Sequence, residues 1–347
     1  MSITALRQMA DTRPRHEPTR QVIAKLLAAL EQPAGQDRGL TDAAYEVWYL
    51  GDDAACLRLL EALVECPLTP PERQKLDIML AARHWIDGQI AKMHQPLQKN
   101  VPFLSSEPRE LEAAFLRSLG RHLVQLINGI RPDRYQGPPG APRRRIDFIG
   151  DSHVLAPANL VQKLGSDLWQ VRAHYVPGVK LWHVVREPAL RYRIGMENTV
   201  AACAGPSGFA VFSVGEIDCR PDAGFYNAVR RGEYGVAAIP AMVDLYLERL
   251  EAWRAGGISQ IGIWGIPAPR EDFLEAVGAD KALVRDIVAT VNDTLRRGAA
   301  TRGFVFFDLY ALTQRDGFAS GGYHIDHAHV GSNVLGALGE NRLILGL

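Results

Sequence analysis

The spacing of apolar residues divides the chain into a helical first part and an alternating second part. From Thr19 to about residue 130, apolar residues recur at intervals of three and four, as on the buried face of amphipathic helices. Turn-forming residues interrupt this pattern several times and separate one predicted helix from the next. We therefore predict a small all-α domain over residues 19–130. A flexible leader over residues 1–18, in which prolines lie among charged residues, precedes it.

The second part follows a segment rich in proline, glycine and arginine over residues 131–144, which we interpret as a linker. Beyond it, short apolar runs alternate with helical stretches, and short strands with helices between them predict a mostly parallel sheet covered on both faces. Right-handed crossovers then give an α/β fold, a three-layer α/β/α sandwich over residues 145–347. The five runs that predict strands are Ile146–Ile149, Trp169–Tyr175, Phe209–Val214, Gln260–Trp264 and Phe304–Leu309.

The composition is typical of a soluble globular protein. Of 347 residues, 47% are hydrophobic and 22% are charged. Lys and Arg number 39, as do Asp and Glu, so no surplus of positive charge indicates a nucleic-acid partner. The beginning of the chain lacks an apolar signal core, and no stretch is long enough to predict a membrane span. The four cysteines form no C-x-x-C motif, which favours reduced thiols in a cytoplasmic protein.

The first candidate for chemistry is the segment Gly150–His153, a glycine and three polar residues that directly follow the apolar run Ile146–Ile149. This order predicts a tight turn at the carboxyl end of a buried strand. Open α/β sheets bind their ligands in the crevice at that edge, so Ser152 is a candidate nucleophile if a base can reach it. The simpler alternative is that Ser152 caps a helix that begins near Ala156.

The candidate base lies far downstream, in the segment Tyr323–His329. Asp326 and His329 are three residues apart, which lets the carboxylate bind one ring nitrogen of His329 while the other faces Ser152. The same segment contains three histidines, so zinc binding is an alternative. Because a metal-dependent hydrolase would not need the serine turn, we predict a Ser152–His329–Asp326 triad and no metal.

The pair of segments Gly150–His153 and Asp326–His329 resembles the first block and the terminal Asp-x-x-His block of the SGNH (GDSL-like) hydrolase family, in the right order along residues 145–347. The resemblance implies a flavodoxin-like fold with a five-stranded sheet, and ester hydrolysis through an acyl-enzyme on Ser152, without a cofactor. It also implies an oxyanion hole made by the backbone N–H groups of Ser152 and Gly178, the best match to the second block. For Gly178 the alternative is an ordinary Pro-Gly turn.

The third block departs from the family's usual Gly-x-Asn-Asp. Gly215 and Asp218 fit, but Ile217 replaces the asparagine that donates a hydrogen bond to the oxyanion. The segment Gly-Glu-Ile-Asp-Cys-Arg resembles a variant third block of bacterial SGNH proteins from glycan-related settings. On an extended backbone Glu216, Asp218 and Arg220 would share one side, so one or both carboxylates could hold Arg220 as a replacement donor. A structural ion-pair cluster is the alternative.

Several assignments complete this interpretation. Asp151 is expected to shape the serine turn rather than react, and Gly215, Glu216 and Asp218 are expected to support the site. His153 and His183 are expected to be hydrogen-bonded structural residues. The resemblance implies a small-molecule or glycan acyl ester as substrate, with O-acetyl groups as one example.

Two other functions stay open at this point. One is an O-acyltransferase that uses the same triad with a glycan hydroxyl in place of water. The other is a non-catalytic glycan- or protein-binding module on a decayed esterase scaffold, with Ile217 as the mark of decay. The helical domain is a candidate to bind a protein partner.

Overall fold

A computed structural model describes residues 17–30, 39–107, 111–129 and 143–347. The predicted leader and linker therefore lie almost entirely outside the described residues. The chain divides into two compact units, Met1–Val124 and Gln125–Leu347. The division falls inside the helix Leu111–Asn128, a few residues before the predicted end of the helical domain.

The described part of the first unit is helical. The helix Pro70–Ile86 begins with a capping box, in which the Thr69 hydroxyl accepts a hydrogen bond from the Glu72 N–H while the Glu72 carboxylate accepts one from the Thr69 N–H. Within the described ranges of the whole chain, no helix combines the length and apolar character that crossing a membrane requires. The helices are α1 (Glu17–Leu30), α2 (Leu40–Tyr49), α3 (Asp53–Leu63), α4 (Pro70–Ile86), α5 (Ile90–Lys99), α6 (Val101–Leu104) and α7 (Leu111–Asn128), which runs on into the second unit.

The second unit is built on a mostly parallel sheet with seven strands, not the five predicted. The five predicted strands form its parallel centre, and two antiparallel strands that were not predicted, Val161–Leu164 and Ile344–Leu345, form its edges. The strands are β1 (Arg144–Gly150), β2 (Val161–Leu164), β3 (Asp167–Tyr175), β4 (Gly205–Ser213), β5 (Ile258–Trp264), β6 (Val305–Phe307) and β9 (Ile344–Leu345), in the spatial order β2-β3-β1-β4-β5-β6-β9; β7 (Gln314–Arg315) and β8 (Phe318–Ala319) form a separate hairpin.

Helices connect the strands of the second unit. They are α8 (Leu181–Val185), α9 (Arg191–Cys203), α10 (Glu216–Cys219), α11 (Gly224–Arg230), α12 (Ile239–Ala255), α13 (Glu271–Ala276), α14 (Lys281–Arg302), α15 (Leu309–Thr313) and α16 (Val334–Glu340), with 3₁₀ turns at Ser152–Leu155 and Val236–Ala238. The longest, α12 and α14, bury their apolar faces in one core cluster with β1, β4 and β5. This packing explains the near-continuous apolar sequence of the central strands.

Both faces of the central strands are buried. Two successive side chains of β1, which point to opposite faces of the sheet, show this. Phe148 packs edge-on against Trp264 on one face, with ring centroids 5.2 Å apart. Ile149 points to the opposite face and joins the core cluster that contains residues of α12 and α14. The centre of the sheet is therefore enclosed, and only its edges and the strand ends are available for chemistry.

The carboxyl ends of β1, β3 and β4 lie side by side. Gly150, the last residue of β1, pairs in register with Tyr175 of β3 and with Ser213 of β4. A Cβ at Gly150 would lie 1.9 Å from the Ser213 carbonyl oxygen, so a glycine is required where the two strand ends meet. The chain leaves β1 toward β3 on one side and later returns to β4 on the other, which creates a crevice at this edge.

Candidate active site

The serine turn begins where β1 ends, and Asp151 shapes it. A 3₁₀ turn spans Ser152–Leu155, and the Asp151 carboxylate caps it by accepting a hydrogen bond from the His153 N–H at 3.0 Å. The helix expected from Ala156 is absent, since the chain passes through a turn into β2. Because Asp151 is the cap, the interpretation of Ser152 as a helix cap is wrong.

Asp151 also ties this turn to the neighbouring strand. Its backbone N–H donates to the Ser213 carbonyl at 2.9 Å, and its carboxylate accepts a hydrogen bond from the Ser213 hydroxyl at 3.2 Å. The residue is only 1% exposed. These contacts agree with the expectation that Asp151 holds the turn, and they fix the backbone on which Ser152 stands.

The structure brings Ser152, His329 and Asp326 into one hydrogen-bonded line. Ser152 Oγ lies 2.7 Å from His329 Nε2, and His329 Nδ1 lies 2.8 Å from Asp326 Oδ2. If Nδ1–H donates to the carboxylate, Nε2 is left with a lone pair that can accept the Ser152 proton. This is the geometry that the two sequence segments predict.

The environment keeps Asp326 ionised. Burial alone would raise its pKa, but the hydrogen bond and charge of His329 hold the pKa of the carboxyl far below its usual range. The backbone N–H groups of Ala328 and His329 donate to its other oxygen at 2.8 and 2.7 Å. Asp326 can therefore orient the imidazole and stabilise the imidazolium that forms when His329 takes up a proton.

Backbone hydrogen bonds close the loop that carries Asp326 and His329. The Ile325 N–H donates to the His329 carbonyl at 2.9 Å, and the Gly331 N–H donates to the Tyr323 carbonyl at 2.9 Å. The Gln125 side-chain amide, from the last turn of α7, donates to the Ile325 carbonyl at 2.9 Å. The loop is therefore held from within and by a neighbouring helix end, which pre-organises the two triad residues it contributes.

Gly178 lies in the loop after β3, next to the serine turn. Its φ is +68°, and the preceding Val176 N–H donates to the Gly150 carbonyl at 2.7 Å. A few residues on, the Leu181 N–H donates to Asp218 Oδ2 at 2.8 Å, so the end of this loop is fastened to α10. The structure thus places Gly178 at the same sheet edge as Ser152, as expected.

The third block is helical, not extended, which corrects the expected arrangement. Gly215, with φ +125°, opens α10, and Glu216 and Arg220 lie four residues apart on one side of that turn. Arg220 Nε lies 2.9 and 2.8 Å from the two Glu216 oxygens, and one terminal nitrogen lies 2.6 Å from the second of them. Asp218 instead binds the Leu181 N–H. Of the two carboxylates, Glu216 is therefore the one that holds the guanidinium.

The charges of this block divide into an ion pair and a buried acid. Burial would raise the pKa of Glu216, but the positive charge of Arg220 holds that pKa below its usual range. Burial raises the pKa of Asp218 to about 7, against the opposing effect of the Leu181 N–H. Arg220 and Glu216 line a narrow pocket that also contains His327 and Ala328, next to His329 in sequence. The ion pair thus borders the loop that carries Asp326 and His329.

The other histidines of the loop have partners away from Asp326. His327 stacks on Phe273 with ring centroids 4.4 Å apart, and burial lowers its pKa. Burial lowers the pKa of His324 to about 4. Within the part of the chain that the structure describes, neither joins a group of three ligand atoms within 4.8 Å of one another. The zinc interpretation of this loop therefore gains no support from His324 or His327.

A cluster with metal-ligand chemistry does lie elsewhere in the sheet unit. His174 Nε2 is 3.0 Å from Asp147 Oδ1 and 3.5 Å from Cys203 Sγ. Arg145 donates to the other Asp147 oxygen at 2.8 Å, and the Arg172 guanidinium also lies near this carboxylate. The carboxylate is thus already matched by positive and hydrogen-bonding groups, which explains the cluster without an ion.

Sequence reasoning undervalued one residue of the site. His153 was expected to be a structural histidine, and both of its ring nitrogens do have partners. Its ring, however, lies 5.2 Å from that of His329, centroid to centroid. The only signal in the sequence was its position directly after Ser152. His183, by contrast, stacks on Tyr192 and accepts a hydrogen bond from the Lys180 N–H, as expected for a structural residue.

Comparison with known proteins adds no family to these observations. Neither a scan against protein-family models nor a search of curated proteins found a match to this chain.

Proposed function

We propose that the second unit is a serine esterase that hydrolyses small O-acyl esters, with O-acetyl groups on a sugar or glycan as the substrate class implied by the SGNH resemblance. The observation that carries this proposal is the line from Ser152 Oγ through His329 to Asp326, with hydrogen-bond distances of 2.7 and 2.8 Å. Serine, imidazole and carboxylate in this order are the parts of an activated nucleophile.

The reaction follows from these contacts. Ser152 Oγ attacks the ester carbonyl carbon while His329 Nε2 takes the hydroxyl proton, and Asp326 stabilises the imidazolium. The tetrahedral intermediate collapses when Nε2 gives this proton to the leaving alcohol, which breaks the ester C–O bond and leaves an acyl group on Ser152. Water then attacks the acyl-enzyme while His329 Nε2 takes a proton from it. The second tetrahedral intermediate collapses when Nε2 returns this proton to Ser152 Oγ, which breaks the acyl–serine bond and releases the acid.

The negative charge on the carbonyl oxygen needs donors in the tetrahedral intermediate. The backbone N–H groups of Ser152 and Gly178 are the candidates, and they belong to loops that leave adjacent strands at one sheet edge. Arg220 is a third candidate, because Ile217 cannot donate and the Arg220–Glu216 pair borders the triad loop. A donor held in place before the reaction begins contributes most to such catalysis.

The fold expected of an SGNH-type enzyme fits this proposal. Counted along the chain, the five parallel strands lie in the order second, first, third, fourth, fifth, which is the flavodoxin-like order. In that order, ligands bind where the connections diverge, between the first and third parallel strands. Ser152 follows the first of these strands and Gly215 the third. We accordingly take the unit to be a three-layer α/β/α sandwich of the SGNH type, with two added edge strands.

Active-site labelling tests the proposal directly. A fluorophosphonate should label the full-length protein at Ser152, and Ser152→Ala should abolish the label. Ser259→Ala is the matched control. Ser259 lies near the amino-terminal end of β5, whereas the serine turn follows the carboxyl-terminal end of the parallel strand β1, and the Ser259 hydroxyl donates to the Gly208 carbonyl at 2.6 Å. Labelling that survives Ser152→Ala, or a folded wild-type protein that is never labelled, would contradict the proposal.

Product analysis then separates hydrolysis from transfer. With an aryl acetate and an added oligosaccharide, an esterase releases free acetate, whereas an O-acyltransferase forms an acetylated sugar from the same acyl-enzyme. A decayed binding module would retain glycan binding and give neither product. The intact hydrogen bonds of Ser152, His329 and Asp326 support a catalytic function over decay.

A further inference from the structure

His153 occupies a position between the two loops of the candidate triad. It follows Ser152 in the serine turn, is 2% exposed, and its ring lies 5.2 Å from the His329 ring at a tilt of 36°. The catalytic scheme above gives it no part. A buried, titratable ring in contact with the base of a triad is a candidate for control of that base.

Both ring nitrogens of His153 face hydrogen-bond acceptors. Nδ1 lies 3.2 Å from Asp151 Oδ1, and Nε2 lies 3.0 Å from the Ala328 carbonyl oxygen. Asp151 immediately precedes Ser152, and Ala328 immediately precedes His329. One imidazole therefore bridges the backbone neighbour of the nucleophile and the backbone neighbour of the base.

The protonation state of His153 follows from these partners. A neutral imidazole has one N–H donor and one nitrogen lone pair, whereas an imidazolium has two donors. The Ala328 carbonyl can only accept, and Asp151 Oδ1 already accepts from the His153 N–H and the Ser213 hydroxyl. A neutral ring would turn a lone pair toward one of these oxygens in a buried site, so the doubly protonated ring is the form that satisfies both.

The charges around the ring favour the same form. Burial by itself lowers the pKa of His153, but the nearby carboxylate of Asp151, the hydrogen bond to it and the more distant Glu216 outweigh burial and raise the pKa to about 9. The titratable rings near it in the triad loop are His324, with which His153 interacts electrostatically, and His329, whose ring lies 5.2 Å away. Glu216 is also paired with Arg220, so its effect is partly offset.

We propose that His153 is a protonated positioning residue, an imidazolium clamp that holds the serine turn and the triad loop at the separation that Ser152 and His329 need for proton transfer. The inference rests on the proposed function, since it assigns a purpose to the distance between these two residues. His153 does not exchange a proton with substrate. It acts through the Asp151 carboxylate and the Ala328 backbone carbonyl, which its ring joins.

The clamp makes activity sensitive to alkaline pH. When His153 loses its proton, at a pH near 9, one of its two hydrogen bonds loses its donor. Either the bond to Ala328, which joins the two loops, or the bond to Asp151, which fixes the ring within the serine turn, is then lost. Turnover should therefore fall as pH rises through about 9, with little change in KM, since the substrate does not contact the ring. A structural histidine without this bridging charge would produce no such fall in activity at high pH, which we call the alkaline limb of the pH profile.

The charge state can be measured without any turnover. In the full-length protein with ¹⁵N-labelled histidine, both ring nitrogens of His153 should be protonated at pH 7.5, and the ring should lose one proton near pH 9. The resonances are assigned by their loss in His153→Gln. Should that variant fail to fold, Asp151→Asn serves instead, because removal of the carboxylate charge must lower the pKa of His153. A single protonated nitrogen at pH 7.5 would overturn the proposal.

Kinetics provide the second readout. His153→Gln should lower kcat toward an aryl acetate by about 10- to 100-fold, leave KM nearly unchanged and remove the alkaline limb, after subtraction of spontaneous hydrolysis. The matched control is His174→Gln, another buried histidine that binds a carboxylate, Asp147, within the sheet. It should retain wild-type kcat and the limb.

The outcomes distinguish this inference from the function on which it rests. A folded His153→Gln variant with wild-type kcat and an unchanged alkaline limb would overturn the clamp while the esterase function stands. A wild-type protein with no labelling and no turnover would overturn the function. In that event the nuclear magnetic resonance measurement still decides whether His153 is doubly protonated and joins the two loops.

Discussion

At the scale of single residues, the site depends on groups whose partners fix their chemical state. Asp326 is ionised because the His329 ring and two backbone N–H groups bind its oxygens. Asp218 is more deeply buried and accepts a hydrogen bond from the Leu181 N–H, and burial raises its pKa to about 7. The two aspartates of this site therefore differ in charge because they differ both in burial and in the hydrogen bonds that stabilise the ionised form.

Arg220 is the residue whose catalytic contribution is most open to measurement. If its guanidinium stabilises the oxyanion, Arg220→Ala should lower kcat by about 10²-fold with little change in KM, because that contact forms mainly in the transition state. The same change leaves Glu216 buried without its partner, which costs stability as well, of the order of 3 kcal/mol. Steady-state kinetics and urea denaturation of the same samples measure both effects.

A double variant separates the two contributions. Glu216→Gln combined with Arg220→Ala removes both charges, so much of the lost stability should return. If Arg220 is an oxyanion donor, kcat stays low in the double variant. Recovery of kcat together with stability would reduce Arg220 to a structural ion pair, the alternative that the sequence also allows.

At the scale of elements, strands that contain a long apolar run can be predicted from the sequence, whereas very short strands cannot. The five parallel strands carry such runs and were found where expected. The edge strand Val161–Leu164 has only four residues and no apolar–polar alternation, and Ile344–Leu345 is only two residues long. Edge strands of this kind form because a neighbouring strand offers free hydrogen-bonding groups. The local sequence of the edge strand does not show that such a neighbour is present.

The candidate site divides in the same way. Ser152, His329 and Asp326 could be predicted because residue type and spacing specify their chemistry. The backbone conformation of the third block could not be predicted, since the four-residue helical turn after Gly215 is too short to show a periodic pattern. The bridging role of His153 depends on the Ala328 carbonyl, 175 residues away in sequence. Because every residue has a backbone carbonyl, the residue type at position 328 does not indicate this contact.

The junction of β1 with β4 offers a test at this scale. Gly150→Ala places a Cβ 1.9 Å from the Ser213 carbonyl oxygen, at a φ of +153°, and neither strand end can move without shifting the serine turn. We expect a loss of roughly 4 kcal/mol or more in the free energy of unfolding. Gly165→Ala is the control, because its φ is +61° but no atom lies within 4 Å of the added Cβ. There the loss should be only about 1–2 kcal/mol.

At the scale of the whole molecule, the buried acid Asp218 makes stability depend on pH. Its folded-state pKa is raised to about 7 by burial, above the ordinary value of 3.8. The folded state therefore binds the proton more tightly than the unfolded state, and stability decreases as pH rises from about 4 through 7. Asp326, whose pKa is lowered, acts in the opposite sense, and its contribution is lost as pH falls below its ordinary value.

Asp218→Asn should remove the first of these effects. The amide oxygen can still accept the Leu181 N–H, but it does not titrate. The difference in unfolding free energy between wild type and variant should therefore change steadily between pH 4 and 7, and level off outside that window. Chemical denaturation at several pH values measures it. A difference that does not vary with pH would show that Asp218 is not a raised-pKa acid in the folded protein.

The last question at this scale is whether residues 143–347, the part of the second unit that contains the sheet, fold and function alone. A fragment of residues 143–347 contains all the triad residues and the whole sheet, so we expect it to fold and to hydrolyse an aryl acetate. It lacks Gln125, however, whose side chain donates to the Ile325 carbonyl in the triad loop. Its kcat should therefore be about tenfold below that of the full chain, since small displacements of a catalytic base are costly.

Gln125→Ala in the full chain isolates that single hydrogen bond. If the bond explains the weakness of the fragment, the variant should show the same loss of kcat with unchanged global stability. Gln98→Ala, in α5 of the first unit, is the control and should have no effect on kcat. A fragment that is soluble and folded yet inactive, beside a Gln125→Ala variant with full activity, would show that the residues before Arg143 contribute more to catalysis than this contact.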